Sequence, residues 1–335
     1  MFVPTGSGAP VTLVVVAYGS TPRLRRCLDA LIAHEARTDF EVVCVANPDR
    51  RLGAPDLSWA DPRVAVRTPD MNLGWAGGLH LARADVLGPY MAWIQDDMRP
   101  RAGWLDALVD AANAHPRAAC FGSLSVDDEG RPDGVAAGRA FPAGEVRRWN
   151  DSDDTRVRAL APYEEHDWVT SKGLLVRVAA WDDVGGPAVR FYPLNHVDKQ
   201  FATHLRAHGW RIALVPGATL AHGQSQSSPS LFRGFLNDWH EEDFDAVWGP
   251  VAAALAKDPD ARPEHPCPGA PTLAEVEREC AVESSRMVVP LAAFAARQQR
   301  AIAERYESSR SWKLTAPLRR AKNAISRLRR RRTPR

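Results

Sequence analysis

Short apolar runs alternate with segments of helical periodicity through the first half of the chain. VTLVVVAY at 11–18 is a continuous β-branched run, the pattern of a strand buried on both faces. Gly19 and Ser20 break it, and Thr21-Pro22 supplies an N-cap with proline at the first helical position. Leu24, Cys27, Leu28, Leu31 and Ile32 then share one helical face. FEVVCVAN at 40–47 reads as a second strand, RVAVRT at 63–68 as a shorter third, and ADVLGPYMAWIQ at 84–95 contains a fourth. Leu105, Leu108, Val109 and Ala112 mark the next helix. Strands alternating with helices across short loops predict an α/β domain around a mostly parallel sheet. Ligands bind such sheets at the carboxyl ends of the strands, where Tyr18, Asn47 and the pair Asp96-Asp97 lie.

The second half is less regular. Residues 121–166 are rich in Gly, Pro, Asp and Arg and read as loops with a few short strands. WVTSKGLLVRVAAWDDVGG at 168–186 reads as a strand followed by two turns. KQFATHLRAHG at 199–209 predicts a short helix with Phe201 and Leu205 inward and Gly209 closing it. WRIALVP at 210–216 is another strand, ending before His222. From about Ser225 the pattern turns helical, with a proline-rich break at 258–271 and a polar, alanine-rich helical stretch over 273–306. The expected organisation is a domain over 1–230, a C-terminal helical extension over 231–306 and a tail over 307–335.

Composition narrows the class. The 335 residues are 45% hydrophobic and 25% charged, enough for a sizeable buried core. No apolar stretch approaches the roughly 20 residues that span a bilayer, and the N-terminus lacks a basic segment leading into an apolar one, so no secretory leader is expected. Cys27, Cys44, Cys120, Cys267 and Cys280 are odd in number and show no CxxC spacing. Reduced thiols in a cytoplasmic protein are expected, rather than disulfides or zinc.

Charge is unevenly placed. Nine of the 43 basic residues and none of the 41 acidic ones fall in the last seventeen positions, which leaves the preceding residues at about −7. Nothing in the acidic body resembles a nucleic-acid module, so no nucleic-acid partner is expected. The tail sets Trp312, Leu314 and Leu318 beside Arg319, Arg320, Lys322 and the Arg329–Arg332 run. An apolar segment next to a polybasic cluster suits the inner face of an anionic membrane, reached through 312–335; a solvated tail is the alternative.

WIQDDMRP at 93–100 poses the sharpest chemical question. Adjacent carboxylates where a buried strand ends need a positive partner, either a cation or an arginine. In the arginine reading Asp96 caps the turn and Asp97 pairs with Arg99 or Arg101.

The segments VTLVVVAYGSTPRLRRCLDAL, NLGWAGGLHLA (72–82), WIQDDM, WVTSKGLLVR and VDKQFATHLRAHGWRIALVPGATLAH occur in the order and spacing of family 2 glycosyltransferases. The chain resembles the rhamnosyl- and galactofuranosyl-type branch over roughly residues 10–225, and SSRSWKLTAPLRR at 308–320 resembles a C-terminal segment of bacterial members. The resemblance implies a Rossmann-like GT-A fold and an inverting transfer of sugar from a nucleoside-diphosphate sugar to a glycan or lipid-linked acceptor hydroxyl, as in cell-envelope polysaccharide synthesis. It implies a divalent cation, Mg²⁺ or Mn²⁺, held by Asp97 and His222 with Asp96 beside them. Asp198 aligns with the family's base, with an N-cap role as the alternative from its place before a helix. Ala17, Tyr18, Asn47, Asn72, Gly74, Gly77, Gly78 and Gln95 fall on the donor side, and Trp168 and Thr170 on the acceptor side.

Three positions depart from the pattern. Gln95 replaces the first acid of the triplet, Val197 replaces a glutamate beside the base, and Ala46 replaces an aspartate that reads the pyrimidine. The alternative they leave open is a catalytically impaired protein that binds nucleotide sugars or a membrane surface.

Overall fold

The computed structural model describes residues 8–19, 21–49, 53, 59, 61–132, 134–138, 146–149, 161–222, 230–267 and 269–308. The tail segment singled out above lies outside them. The chain divides into two compact units, Met1–Ser285 and Arg286–Arg335.

The first unit is built on a nine-stranded sheet. Strands β1 (Val11–Tyr18), β2 (Phe40–Asn47), β3 (Val64–Arg67) and β4 (Tyr90–Gln95) form its parallel half, in the order β3-β2-β1-β4. Helices α1 (Thr21–Ile32) and α2 (Gly74–Arg83) make the crossovers. Beyond β4 come β11 (Leu174–Arg177), antiparallel to its neighbours, then β6 (Ala118–Val126) and β12 (Arg211–His222). The short strands β5 (Met98–Pro100) and β9 (Glu164–His166) pair antiparallel with β12. Six of the nine strands therefore run the same way, and the sheet is mostly parallel. A second sheet joins β7 (Gly134–Gly138), β8 (Val146–Trp149) and β10 (Trp168–Val169).

Side chains of β1 alternate between two cores, as a pleated strand covered on both faces requires. Leu13 and Val15 join Leu24, Leu28 and Leu31 of α1 and Trp104, Leu105 and Leu108 of α3 (Trp104–Ala114). Val14 and Val16 join Leu79 of α2, Trp93 of β4, Trp181 of α4 (Val178–Val184) and Phe201 of α5 (Val197–Ala207). Helices α6 (Ser230–Val247) and α7 (Gly249–Lys257), with Trp248 between them, close a third core through Phe244, Trp248, Val251 and Leu255 against Val197 and Ala207 of α5. Helix α8 (Leu273–Ser308) follows the proline-rich break, and Pro290 lies within it. Among the described residues no helix is long and apolar enough to cross a membrane.

Two readings of the second half need correction. Residues 118–126 form a central strand, AACFGSLSV, whose small residues lack the β-branched signature yet are all buried. Residues 178–184 form a helix rather than a turn, because Trp181 and Val184 face the core one helical turn apart and Gly185, at φ 76°, ends it.

Candidate active site

Register places the expected residues on one edge. Tyr18 lies opposite Asn47, and Val16 opposite Gln95, so β1, β2 and β4 end together. The chain turns at Asp96-Asp97 into β5, which runs back along the end of β12 with Met98 opposite His222. His222 is thereby brought one strand spacing from the residue that follows Asp97. The antiparallel strand β11 starts opposite Trp93, so the loop that feeds it, Thr170–Gly173, ends beside the end of β4.

Asp96 already has its positive partner. Arg23 Nη2 donates to Asp96 Oδ2 at 2.8 Å and reaches the Tyr18 carbonyl at 3.4 Å, while the Tyr18 N–H also donates to the Asp96 carboxylate. Burial pushes the Asp96 carboxyl above the usual carboxylate range, and the Arg23 guanidinium opposes that rise. A guanidinium on this oxygen competes with a divalent ion, and the pairing gives Asp96 a supporting place in the edge. The sequence reading had Asp96 capping the turn; the structure pairs it with an arginine, Arg23. Arg99 pairs with Asp128 at 2.5 Å, and Arg101 donates to the carbonyls of Asp127 and Asp128. Arg23 sits in the first turn of α1, three-dimensionally next to β4 but 73 residues from it in sequence, which is why spacing alone did not find it.

Asn47 is committed to the loop that opens α2. Its Oδ1 accepts from Leu73 N–H at 2.9 Å, and its Nδ2 donates to the Gly74 carbonyl at 3.3 Å. Asn72 Oδ1 accepts from Gly74 N–H at 2.8 Å. Gly74 has φ 64°, and a Cβ there would lie 2.7 Å from the Pro193 carbonyl oxygen. A Cβ on Gly78 would meet Val16 at 2.7 Å, and one on Gly77 would meet Cys280 at 3.0 Å. Packing of α2 onto β1 and onto the start of α8 accounts for glycine at 78 and 77, and the positive φ and the close approach of Pro193 account for it at 74. Tyr18 is the donor-side residue most open to solvent, at 39% exposure, while Ala17 is buried and Gln95 half-buried.

Asp198 stands at the second position of α5, in its first turn. The N-cap place belongs to His196, whose φ is 57° and whose side chain makes no capping bond. The Asp198 carboxylate instead accepts from Ser171 N–H at 3.0 Å through Oδ2 and from Lys199 N–H at 2.9 Å through Oδ1. The acceptor-side candidates lie in the same loop. Thr170 is buried, and its Oγ1 has no hydrogen-bond partner; Trp168 is half-buried against the cores on either side of α5. Glu241 of α6 fastens the helix from behind, accepting from Lys199 Nζ at 2.8 Å and contacting His196 Nε2. Those two contacts hold the Glu241 carboxyl well down, at about 2, with the His196 contact the larger cause.

The expected cation has a half-buried carboxylate, Asp97, in the turn before β5, the position of His222 at the end of the adjoining strand β12, and Gln95 at the end of β4. An oxygen-rich donor set with one imidazole fits a small divalent ion.

A family model described as glycosyl transferase family 2 matches residues 12–179. The chain is 26% identical to the O-antigen biosynthesis protein RfbC of Myxococcus xanthus over 92% of its own length and 25% of that protein's. It therefore spans about a quarter of that relative. It is 28% identical to an N-acetylglucosaminyl-diphospho-decaprenol L-rhamnosyltransferase of Mycobacterium tuberculosis, over 64% of this chain and 76% of that one. A solved structure of GalNAc-T7 with UDP, GalNAc and Mn²⁺ superposes with a TM-score of 0.54 at 12% identity, covering 82% of this chain and 55% of that one. That likeness establishes the fold, the GT-A type that the sequence led us to expect.

Proposed function

The chain belongs to glycosyl transferase family 2, and from that premise we propose that it transfers a sugar, with inversion, from a nucleoside-diphosphate sugar to a hydroxyl of a glycan or lipid-linked acceptor in cell-envelope polysaccharide synthesis. The observation that carries the reading is Asp198, a carboxylate anchored by Ser171 N–H to a loop that ends beside the end of β4. In the transfer, the acceptor oxygen bonds to the anomeric carbon as the bond from that carbon to the diphosphate breaks. Asp198 takes the acceptor's proton, and its two N–H donors fix the orientation in which it does so. Trp168 and the Thr170 segment shape the acceptor side, the half-buried indole offering an apolar face to a sugar ring.

Tyr18, Asn72 and Gln95 line the donor side, and Asn47 holds the α2 entry loop in place. Asp97 and His222 would hold Mg²⁺ or Mn²⁺, which when bound offsets the charge of the departing diphosphate. Asp96 and Arg23 keep the turn that carries Asp97 rigid. The tail over 312–335 rests on an anionic membrane on the cytoplasmic side and keeps the site near a lipid-linked acceptor. The anomeric configuration of the product, read by proton NMR, tests the role of Asp198: inversion is expected, and retention overturns it.

A further inference from the structure

His204, His208, His265 and Cys267 converge at the C-terminal end of α5, with one candidate ligand atom from each lying within 4.8 Å of all the others. We propose that these four side chains bind a structural zinc ion that fastens α5 to the proline-rich segment before α8. His204 lies in the last turn of α5 and His208, four residues on, is its C-cap, so the two lie on one side of the helix end, while His265 and Cys267 come from the segment at 258–271.

Hydrogen bonding fixes which nitrogens are bare. His208 Nδ1 faces the Asp183 carboxylate at 3.2 Å, so the proton of the neutral ring sits there and Nε2 carries a lone pair. His265 Nδ1 faces the Pro263 carbonyl at 2.8 Å, which places its proton in the same way. The two Nε2 atoms then meet at 3.0 Å with a lone pair each, an arrangement that repels unless a cation joins them. His204 is only 2% exposed, and its Nε2 is buried without a hydrogen-bond partner. A second proton on one ring would relieve the first conflict but leave His204 unanswered. A metal ion satisfies all three nitrogens together.

Packing of Trp248 on His204, at 5.0 Å between ring centres, explains why the ring is buried but not why its nitrogen faces nothing. Three imidazoles and a thiolate are the ligands of a closed tetrahedral zinc site, in which donor atoms stand about 3.3 to 3.6 Å apart. This set is too soft for Mg²⁺ or Mn²⁺. The thiolate and the Asp183 carboxylate behind His208 balance the charge, a carboxylate–histidine–metal relay that also orients the ring. Cys267 is exposed and gives the ion its way in. With the metal bound, the helix whose first turn carries Asp198 is tied at its other end.

Full-length protein prepared without a histidine tag should retain an equivalent of zinc through dialysis against a weak chelator. Replacement by Co²⁺ should give the visible bands of a tetrahedral site and a near-ultraviolet thiolate charge-transfer band. Cys267→Ser, at an exposed position, should abolish that band and weaken zinc binding about a hundredfold, and Asp183→Asn should weaken it about tenfold or more. Asp97→Asn should leave zinc content unchanged. Zinc well below an equivalent in the wild type, or a Co²⁺ spectrum indifferent to Cys267→Ser, overturns the proposal.

Discussion

Arg23 and Asp96 meet at the carboxyl edge of the sheet, guanidinium to carboxylate at 2.8 Å, with less than a fifth of either side chain exposed. The pair ties α1 to the turn after β4, so one contact fixes the floor of the site. Removing one partner of such a pair strands a buried charge, whereas removing both costs far less. Arg23→Met should therefore destabilise the protein by about 3 kcal/mol in denaturant unfolding. Adding Asp96→Asn should restore most of it, and a double variant no more stable than the single one would show that the pair does not act as a unit.

Asp198→Asn tests the proposed base. The substitution keeps the side chain's shape, yet it cannot accept a proton, and its amide must turn one donor toward either Ser171 N–H or Lys199 N–H. Turnover should fall by about a hundredfold or more while donor affinity is kept. A variant that melts early but retains its specific activity would make Asp198 a structural residue of α5.

Glu241 gives a pH signature. Its carboxyl is held at about 2 in the folded protein against an ordinary 4.5. A depressed folded value contributes stability above pH 4.5, and that contribution is lost as pH falls toward 2. Its side chain is 34% exposed, so solvent screening discounts the effect to about 1 kcal/mol. Glu241→Gln should lose that amount at neutral pH and match the wild type near pH 2. A stability difference that stays constant across the range would rule out the ion pair as its source.

Much of this was legible because it rests on periodicity. The β-branched runs of β1 and β2 and the apolar stripe of α1 identified the parallel half of the sheet, and the carboxyl-end rule then placed Tyr18, Asn47 and Asp96-Asp97 on one edge. Strand β6 escaped, since AACFGSLSV has no alternation and Val126, at its end, is its one β-branched residue. The glycines of NLGWAGG stood out in the sequence, but the neighbours that a Cβ would meet there, Pro193, Cys280 and Val16, are distant in the chain and could not be read from it. Arg23, Ser171 and the histidines at the end of α5 were beyond reach for a simpler reason. Their partners are distant in the chain and carry no spacing signal.

The tail prediction rests on charge alone. At about 1 kcal/mol per basic residue near an anionic surface, the nine basic residues of 319–335 suffice for salt-sensitive binding. Full-length protein should co-sediment with phosphatidylglycerol-containing vesicles at low salt, and truncation after Glu307 should abolish this while leaving donor turnover unchanged. Protein that stays in the supernatant at low salt would give the tail another use.

Donor turnover by the wild type and Asp97→Asn, side by side across a panel of nucleoside-diphosphate sugars with and without Mn²⁺, tests the central claim most directly. The wild type should turn over at least one donor in a Mn²⁺- or Mg²⁺-dependent manner, and Asp97→Asn should lose about 3 kcal/mol of transition-state stabilisation, a hundredfold or more in rate. An Asp97→Asn variant with near-normal rate and metal dependence, or a wild type that neither binds nor turns over any donor with any divalent ion, would contradict it.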